Sequence, residues 1–222
     1  MLVGYANAAF AVPKDAKMLG GNGAIKRNTK LKSMDIPLDY EIGLDVTPNN
    51  NIVWGKYASI LHFTATGTNC CGYGSRIPGV WFYPGTRMLY GVHGHTKNGD
   101  SRTGQWKCDR KVLTLEANKK YRVKMVFKRK TVSVWVNNKA ACTDIPRADR
   151  RVFKNVHVYV GDPWHAPAQA TVENLYFKGG ESFFALVLMV YVFVCLRQPY
   201  GVNLLNVCTY DVCICVYCAP VL

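Results

Sequence analysis

Apolar residues in this chain recur with the period of β-strands, in short runs divided by turn clusters, and nowhere with the period of a helix. Tyr40, Ile42, Leu44 and Val46 alternate with Glu41, Gly43 and Asp45, the pattern of a half-buried strand, until Pro48-Asn49-Asn50-Asn51 breaks it. Further strands are expected over Ala58–Thr64, Gly79–Tyr83, Met88–His93, Val112–Glu116, Tyr121–Phe127, Thr131–Val136, Val152–Val160 and Ala170–Phe177. Pro84-Gly85-Thr86, Asn98-Gly99-Asp100 and Asn137-Asn138-Lys139 punctuate them. Many short strands without βαβ alternation predict an all-β, antiparallel, two-sheet β-sandwich. Its clearest hairpin turns at Lys128-Arg129-Lys130, with Tyr121, Val123, Met125 and Phe127 answered by Val132, Val134 and Val136. Arg122 and Lys124 then point outward and are expected to form a basic convex face.

Charge and cysteine usage divide the chain in two. Its 222 residues, 49% apolar, can bury one substantial core. Residues 1–178 hold 27 basic and 12 acidic residues, a net +15, and the remainder holds one basic and two acidic, a net −1. So positive a globular part attracts polyanions, acidic glycans among them, by a salt-sensitive route, although net charge by itself specifies no partner. Cys70, Cys71, Cys108 and Cys142 lie in the first part, and five more cysteines lie after residue 194. An odd total of nine argues against a closed disulfide framework over the whole chain. Cys213-x-Cys215-x-x-Cys218 has metal-ligand spacing, but a structural zinc site needs four ligands, and the neighbours here are Val, Ile and Tyr.

The ends read differently from the middle. Ala9-Phe10-Ala11 resembles a signal cleavage site with only eight residues before it, as a clipped signal peptide would show. Residues 13–37, with a Gly20-Gly21-Asn22-Gly23 turn and the basic run Lys26 to Lys32, show no period, so 1–35 is expected to be irregular. Phe183 to Leu196 is 14 apolar residues, short of the roughly 18–20 that span a bilayer as a helix. The hydrophobic, cysteine-rich tail over 179–222 is expected to be weakly structured. Two readings of it stay open: translated intron, suggested by residues with thymine-rich codons after Gly180-Glu181-Ser182, or a membrane-associated segment.

A family resemblance rests on the middle of the chain. Trp54, then Ser59-Ile60-Leu61-His62-Phe63-Thr64, then Tyr73-Gly74-Ser75-Arg76-Ile77-Pro78-Gly79-Val80-Trp81-Phe82 resemble concanavalin-A-like lectin and laminin-G-like domains. Tyr121-Arg122-Val123, with Val132-Ser133-Val134-Trp135-Val136-Asn137-Asn138-Lys139, resembles their hairpin, Asn138 standing where the family turn has Gly. Val158-Tyr159-Val160-Gly161-Asp162-Pro163-Trp164 and Ala170-Thr171-Val172-Glu173-Asn174-Leu175 resemble their closing strands. The resemblance covers residues 36–177 and implies a jelly-roll sandwich over 36–178. The related family-16 glucanases carry a Glu-x-Asp-x-Glu strand; this chain lacks it, its acidic residues read as scattered, and hydrolysis is not expected. The galectin pattern is absent too, although His62, Asn69 and Arg76 echo its residue types. No calcium loop is visible, and no cofactor is expected.

Function on such a fold must be argued from a site. The loop between the strands at 60–63 and 80–83 offers Asn69 and Arg76 as hydrogen-bonding groups and Tyr73 as a stacking ring. Trp106 and Trp164, in loops beside Gly104 and Pro163, are further ligand-binding candidates. Trp81 is expected in the core. His93-Gly94-His95 supplies two imidazoles without a third metal ligand. Cys70 and Cys71 are open to pairing with each other, with Cys108 or Cys142, or to remaining reduced. The expected function is non-enzymatic recognition of a carbohydrate or glycoprotein, favouring acidic glycans, outside the cell or at its surface. Sequence-specific nucleic-acid binding is not expected, and membrane association would depend on the 183–196 run. A structural or adhesive module without a small ligand is the alternative, and a divergent glycoside hydrolase the third reading.

Overall fold

A computed structural model of the chain describes residues 11–94, 105–106, 108–147 and 150–180, and the backbone of 205–209 and 212–216. The chain divides into two units, 1–180 and 181–222. In the first, β1 (Lys17–Met18), β2 (Gly23–Ala24), β3 (Lys30–Ile36), β4 (Tyr40–Pro48), β5 (Ala58–Thr64), β6 (Gly79–Phe82) and β7 (Leu89–Val92) precede one helical turn, α1 (Arg110–Leu113). After it come β8 (Tyr121–Phe127), β9 (Thr131–Val136), β10 (Lys139–Pro146), β11 (Phe153–Val160), β12 (Ala166–Pro167) and β13 (Ala170–Gly179). One sheet runs β1-β13-β4-β8-β9-β10 with β2 also on β13; the other runs β3-β11-β5-β6-β7 with β12 on β5. Among the described residues every pairing is antiparallel except the two-residue contact of β12 with β5. The second unit contains an antiparallel hairpin of β14 (Leu205–Thr209) and β15 (Val212–Val216).

The expected hairpin forms in the expected register, Val123 opposite Val136, Met125 opposite Val134 and Phe127 opposite Val132. These side chains, with Ile42, Leu44 and Val46, meet Leu61, Phe63, Val80, Phe82, Val156 and Val158 of the other sheet in one core. Burying a side chain of this size contributes about 1.5–3 kcal/mol, so the inward rows hold the two sheets together.

Four local expectations are corrected. Residues 17–36, read as irregular, supply β1, β2 and β3. β3 is an edge strand whose pairing with β11 shifts register twice, and Ile36 is its one fully buried residue, so no period survives in sequence. Val112–Glu116, read as a strand, begins inside α1, where Asp109 caps the turn by accepting from the Lys111 N–H at 2.8 Å. β10 went unseen because it is a polar edge strand buried only at Ala141. Arg122 does not join a basic face: Asp45 lies directly across from it on β4, and the two are buried as a bidentate pair, Nη2 to Oδ2 at 2.7 Å.

Cys70 pairs with Cys71 and Cys108 with Cys142. Among the described residues no helix is long and apolar enough to cross a membrane, and the 183–196 run lies outside them.

Candidate functional site

β5 is the hinge on which the site depends, because all seven of its residues are buried. A register shift between Ser59 and Leu61 lets Ile60 and Leu61 both face the core, and His62 and Thr64 then face the other way. An aromatic layer covers that outer face. Trp81, expected in the core, is only 1% exposed but lies in this layer, on the side opposite Val80 and Phe82. The outer edge of its ring reaches over Gly79, where any Cβ would overlap it. His62, Tyr90 and His165 surround the indole at centroid distances of 5.6, 6.3 and 5.3 Å.

Arg76 lies on top of this layer, its guanidinium carbon 4.8 Å from the Trp81 ring. Nε donates to the Asn69 carbonyl at 2.9 Å and Nη2 to the Asn69 side-chain oxygen at 3.2 Å. Nη1 has no hydrogen-bond partner among the described residues. Burial opposes the guanidinium charge, while Tyr90, Asp162 and Tyr57 favour it. The group is therefore fastened on one edge and open on the other.

Beneath it a buried carboxylate organises two imidazoles. Asp162 Oδ2 lies 2.9 Å from His62 Nδ1, and His62 Nε2 lies 2.7 Å from the Ser75 carbonyl. Both His62 partners, the carboxylate and the carbonyl, are acceptors. Asp162 Oδ1 also accepts the Trp164 and His165 backbone N–H groups at 3.0 and 2.8 Å, an Asx turn that aims His165 at the site. His165 Nδ1 sits 2.9 Å from Asp162 Oδ2 and 3.2 Å from Trp81 Nε1. An ionised carboxylate requires a donor, so Nδ1 carries the proton and the longer Trp81 contact gives way. Burial alone would push the Asp162 carboxyl up, but hydrogen bonds from His165 and His62 outweigh it and hold it far below the usual carboxylate range.

Tyr57, Tyr83 and Tyr90 extend the layer, with Tyr57 centroids 5.6 Å from Tyr83 and 5.0 Å from Tyr90. Burial, followed by the neighbouring Tyr57, pushes the Tyr90 hydroxyl up to about 12. It therefore stays protonated and acts as a hydrogen-bonding group rather than a base.

The sequence candidates separate on this map. Asn69 and Arg76 are brought together as partners. Trp164 is half-buried beside His62 and Tyr159, at 5.2 and 6.0 Å, and braces the floor. Tyr73 is 37% exposed, with Arg151 over one ring face at 3.9 Å. Trp106 is corrected: it is 6% exposed in the core against Gly91, so a ligand on the outer face cannot reach it. His93 is buried, and His95 lies outside the described residues. No group of three or more His, Cys, Asp or Glu among the described residues could hold a metal ion. Tyr57, Tyr83, Tyr90, Asp162 and His165 were missed, although Trp81 and Tyr83 share a parity opposite to Val80 and Phe82, a period-two signal for a second buried face.

The acidic residues are also less scattered than they read. Glu41 and Asp45 share the outer face of β4 in the other sheet, but both are engaged. Glu41 accepts from the Tyr176 hydroxyl at 2.6 Å, and Asp45 accepts from Arg122 and from Asn174 Nδ2 at 2.7 Å.

No protein-family model matches the sequence, and a search of curated proteins finds no match. Solved structures with a similar course of chain include domain 4 of AbnA, an extracellular arabinanase from Geobacillus stearothermophilus in complex with arabinotriose. The TM-score is 0.46 at 13% identity, covering 74% of this chain and 70% of that one. A carbohydrate-binding module of Bacillus subtilis, CBM66, gives 0.42 at 11% identity, covering 74% and 96%. Trypanosoma rangeli sialidase gives 0.47 at 12% identity, and the matched part is 77% of this chain but only 29% of the sialidase. At TM-scores below 0.5 these likenesses leave function to be argued from the residues themselves.

Proposed function

We propose that the chain is a non-enzymatic carbohydrate-recognition module that binds glycans, acidic ones preferentially, on the aromatic outer face of the β3-β11-β5-β6-β7 sheet. The observation that carries this reading is Arg76, held by Asn69 on the Trp81 ring with Nη1 open. A guanidinium fixed in this way recognises a carboxylate without first losing side-chain freedom. Tyr57, Tyr83 and Tyr90 add ring faces for the apolar faces of sugars and hydroxyl groups for their oxygens. The chain's net charge of +14 favours anionic ligands and makes binding salt-sensitive. The two disulfides support residence in an oxidising compartment, outside the cell or at its surface.

Binding of the full chain to an array of neutral and acidic glycans at moderate salt tests this reading. Arg76→Ala is expected to weaken the acidic hits about 30-fold, roughly 2 kcal/mol, the worth of a hydrogen bond to a charged group. Arg76→Lys should restore the charge but not the fork, and recover only part of the loss. Acidic-glycan binding that is indifferent to Arg76→Ala would place the site elsewhere.

A further inference from the structure

We propose that Trp54 and Tyr83 form a second stacking subsite on this face, so that the ligand is a linear chain of several uronate sugars lying along β6 rather than one terminal sugar. The inference rests on the carbohydrate reading above and specifies its ligand. Trp54 is 74% exposed and Tyr83 43%, large rings that the core does not use. The Trp54 indole lies over the turn after Tyr83, where a Cβ on Gly85 would stand 3.0 Å from Cε3 and 3.1 Å from Cζ3. Gly85 has a φ of +69°, a left-handed conformation that suits glycine, so the turn is built to lie under the ring.

The segment presenting Trp54 is tied down at several points. The Gly85 N–H donates to the Val53 carbonyl at 3.0 Å. Arg87 donates to the carbonyls of Asn49 and Asn50 at 2.9 and 2.6 Å. The Asn118 N–H donates to the Pro48 carbonyl at 2.7 Å. An exposed indole on so constrained a segment loses little freedom when it meets a ligand, which is the requirement for a stacking platform.

Position sets the length of the ligand. Arg76 stands over the Trp81 ring, which reaches back to Gly79, and Tyr83 follows β6 four residues further on. At about 3.3 Å per extended residue the two ends lie ~13 Å apart, with Trp54 beyond, too far for one sugar ring to touch both. Tyr57 and Tyr90 fill the interval. Arg76 is the cation at one end of the strip, and Lys56, exposed and without an ion-pair partner among the described residues, lies between Trp54 and Tyr57 in the sequence. A chain with a carboxylate on every sugar presents one to Arg76 while its other rings lie along the aromatic strip, as an uncharged chain would not.

Titration calorimetry of the full chain with digalacturonate and hexagalacturonate tests the proposal. The hexamer is expected to bind at least about tenfold more tightly than the dimer, the worth of one aromatic stack. Trp54→Ala should abolish that preference and leave the dimer unchanged; Tyr83→Ala should reduce it. Arg76→Ala should weaken both oligomers. Trp54→Ala should melt with the wild type, because its ring is outside the core. Dimer binding that needs Arg76, with a hexamer preference that is absent or survives Trp54→Ala, overturns this inference and leaves the proposed function standing. Failure of both oligomers to bind wild-type protein overturns the inference, and failure of every acidic glycan on the array overturns the reading beneath it.

Discussion

Replacing Asp162 with alanine is expected to lower the free energy of unfolding by about 3–5 kcal/mol, because it takes the acceptor from several donors at roughly 1–3 kcal/mol each. Asp162 and His62 are fully buried, and the carboxylate accepts from His62, His165 and two backbone N–H groups. Its own N–H donates to Ser59 Oγ on β5 at 3.0 Å, so the turn after β11 is fastened to the strand that floors the site. Alanine would leave four donors without their acceptor, the His62 ring among them in a place that water does not reach. Asp162→Asn retains an oxygen for the backbone groups but loses the charge, and its effect should lie between wild type and alanine. Urea unfolding with an unchanged m-value reads the loss directly. A loss under about 1 kcal/mol would show that the histidines are held by something else. Because the carboxyl is held below its ordinary value of 3.8, its contribution is present above that pH and is lost as pH falls further.

Acid should weaken the fold earlier than carboxylate protonation does, and His93 is the reason. Burial lowers its ring from 6.5 to about 4, although its hydrogen bond to Pro146 acts in the opposite direction. Nε2 lies 3.1 Å from the Pro146 carbonyl, which only accepts, so the neutral ring donates there. Nδ1 has no partner among the described residues, and the Arg147 guanidinium beside it opposes a second positive charge. The unfolded chain takes up a proton near pH 6.5 that the folded chain refuses until about 4. Stability from this group is therefore complete above 6.5 and declines as pH falls toward 4, by about 3 kcal/mol in total. Urea midpoints measured across that window should fall for the wild type. His93→Gln, which has no titrating ring, should flatten the slope. An equal slope in both proteins would assign the acid lability to another group.

Much of the fold was legible because two antiparallel sheets with one shared core impose period two on every inward row. Tyr40 to Val46, Tyr121 to Phe127 and Thr131 to Val136 carry that period undiluted, and each forms the strand expected of it. β3 and β10 were illegible for the opposite reason: edge strands with one neighbour and shifted registers bury too little to leave a pattern. The tie between Asn69 and Arg76 lies within one loop, so their sequence proximity was informative.

The rest of the site depends on pairings that sequence separation hides. Trp81 and His62 sit in apolar runs that read as core, because a strand covered on both faces has the composition of core throughout. Only the tertiary structure shows that the Ser59–Leu61 irregularity turns His62 away from the core, and that Asp162, a hundred residues later, meets it there. It likewise turns Trp106 into the core and Arg122 onto Asp45, removing one binding candidate and one surface charge. By itself the sequence determined a basic, all-β sandwich with a polar, arginine-bearing loop between two buried strands, since alternation, turns and charge are local properties. Which side of a buried strand is the core, and which charges are already neutralised, was decided by contacts between distant residues that exist only once the sheets have formed.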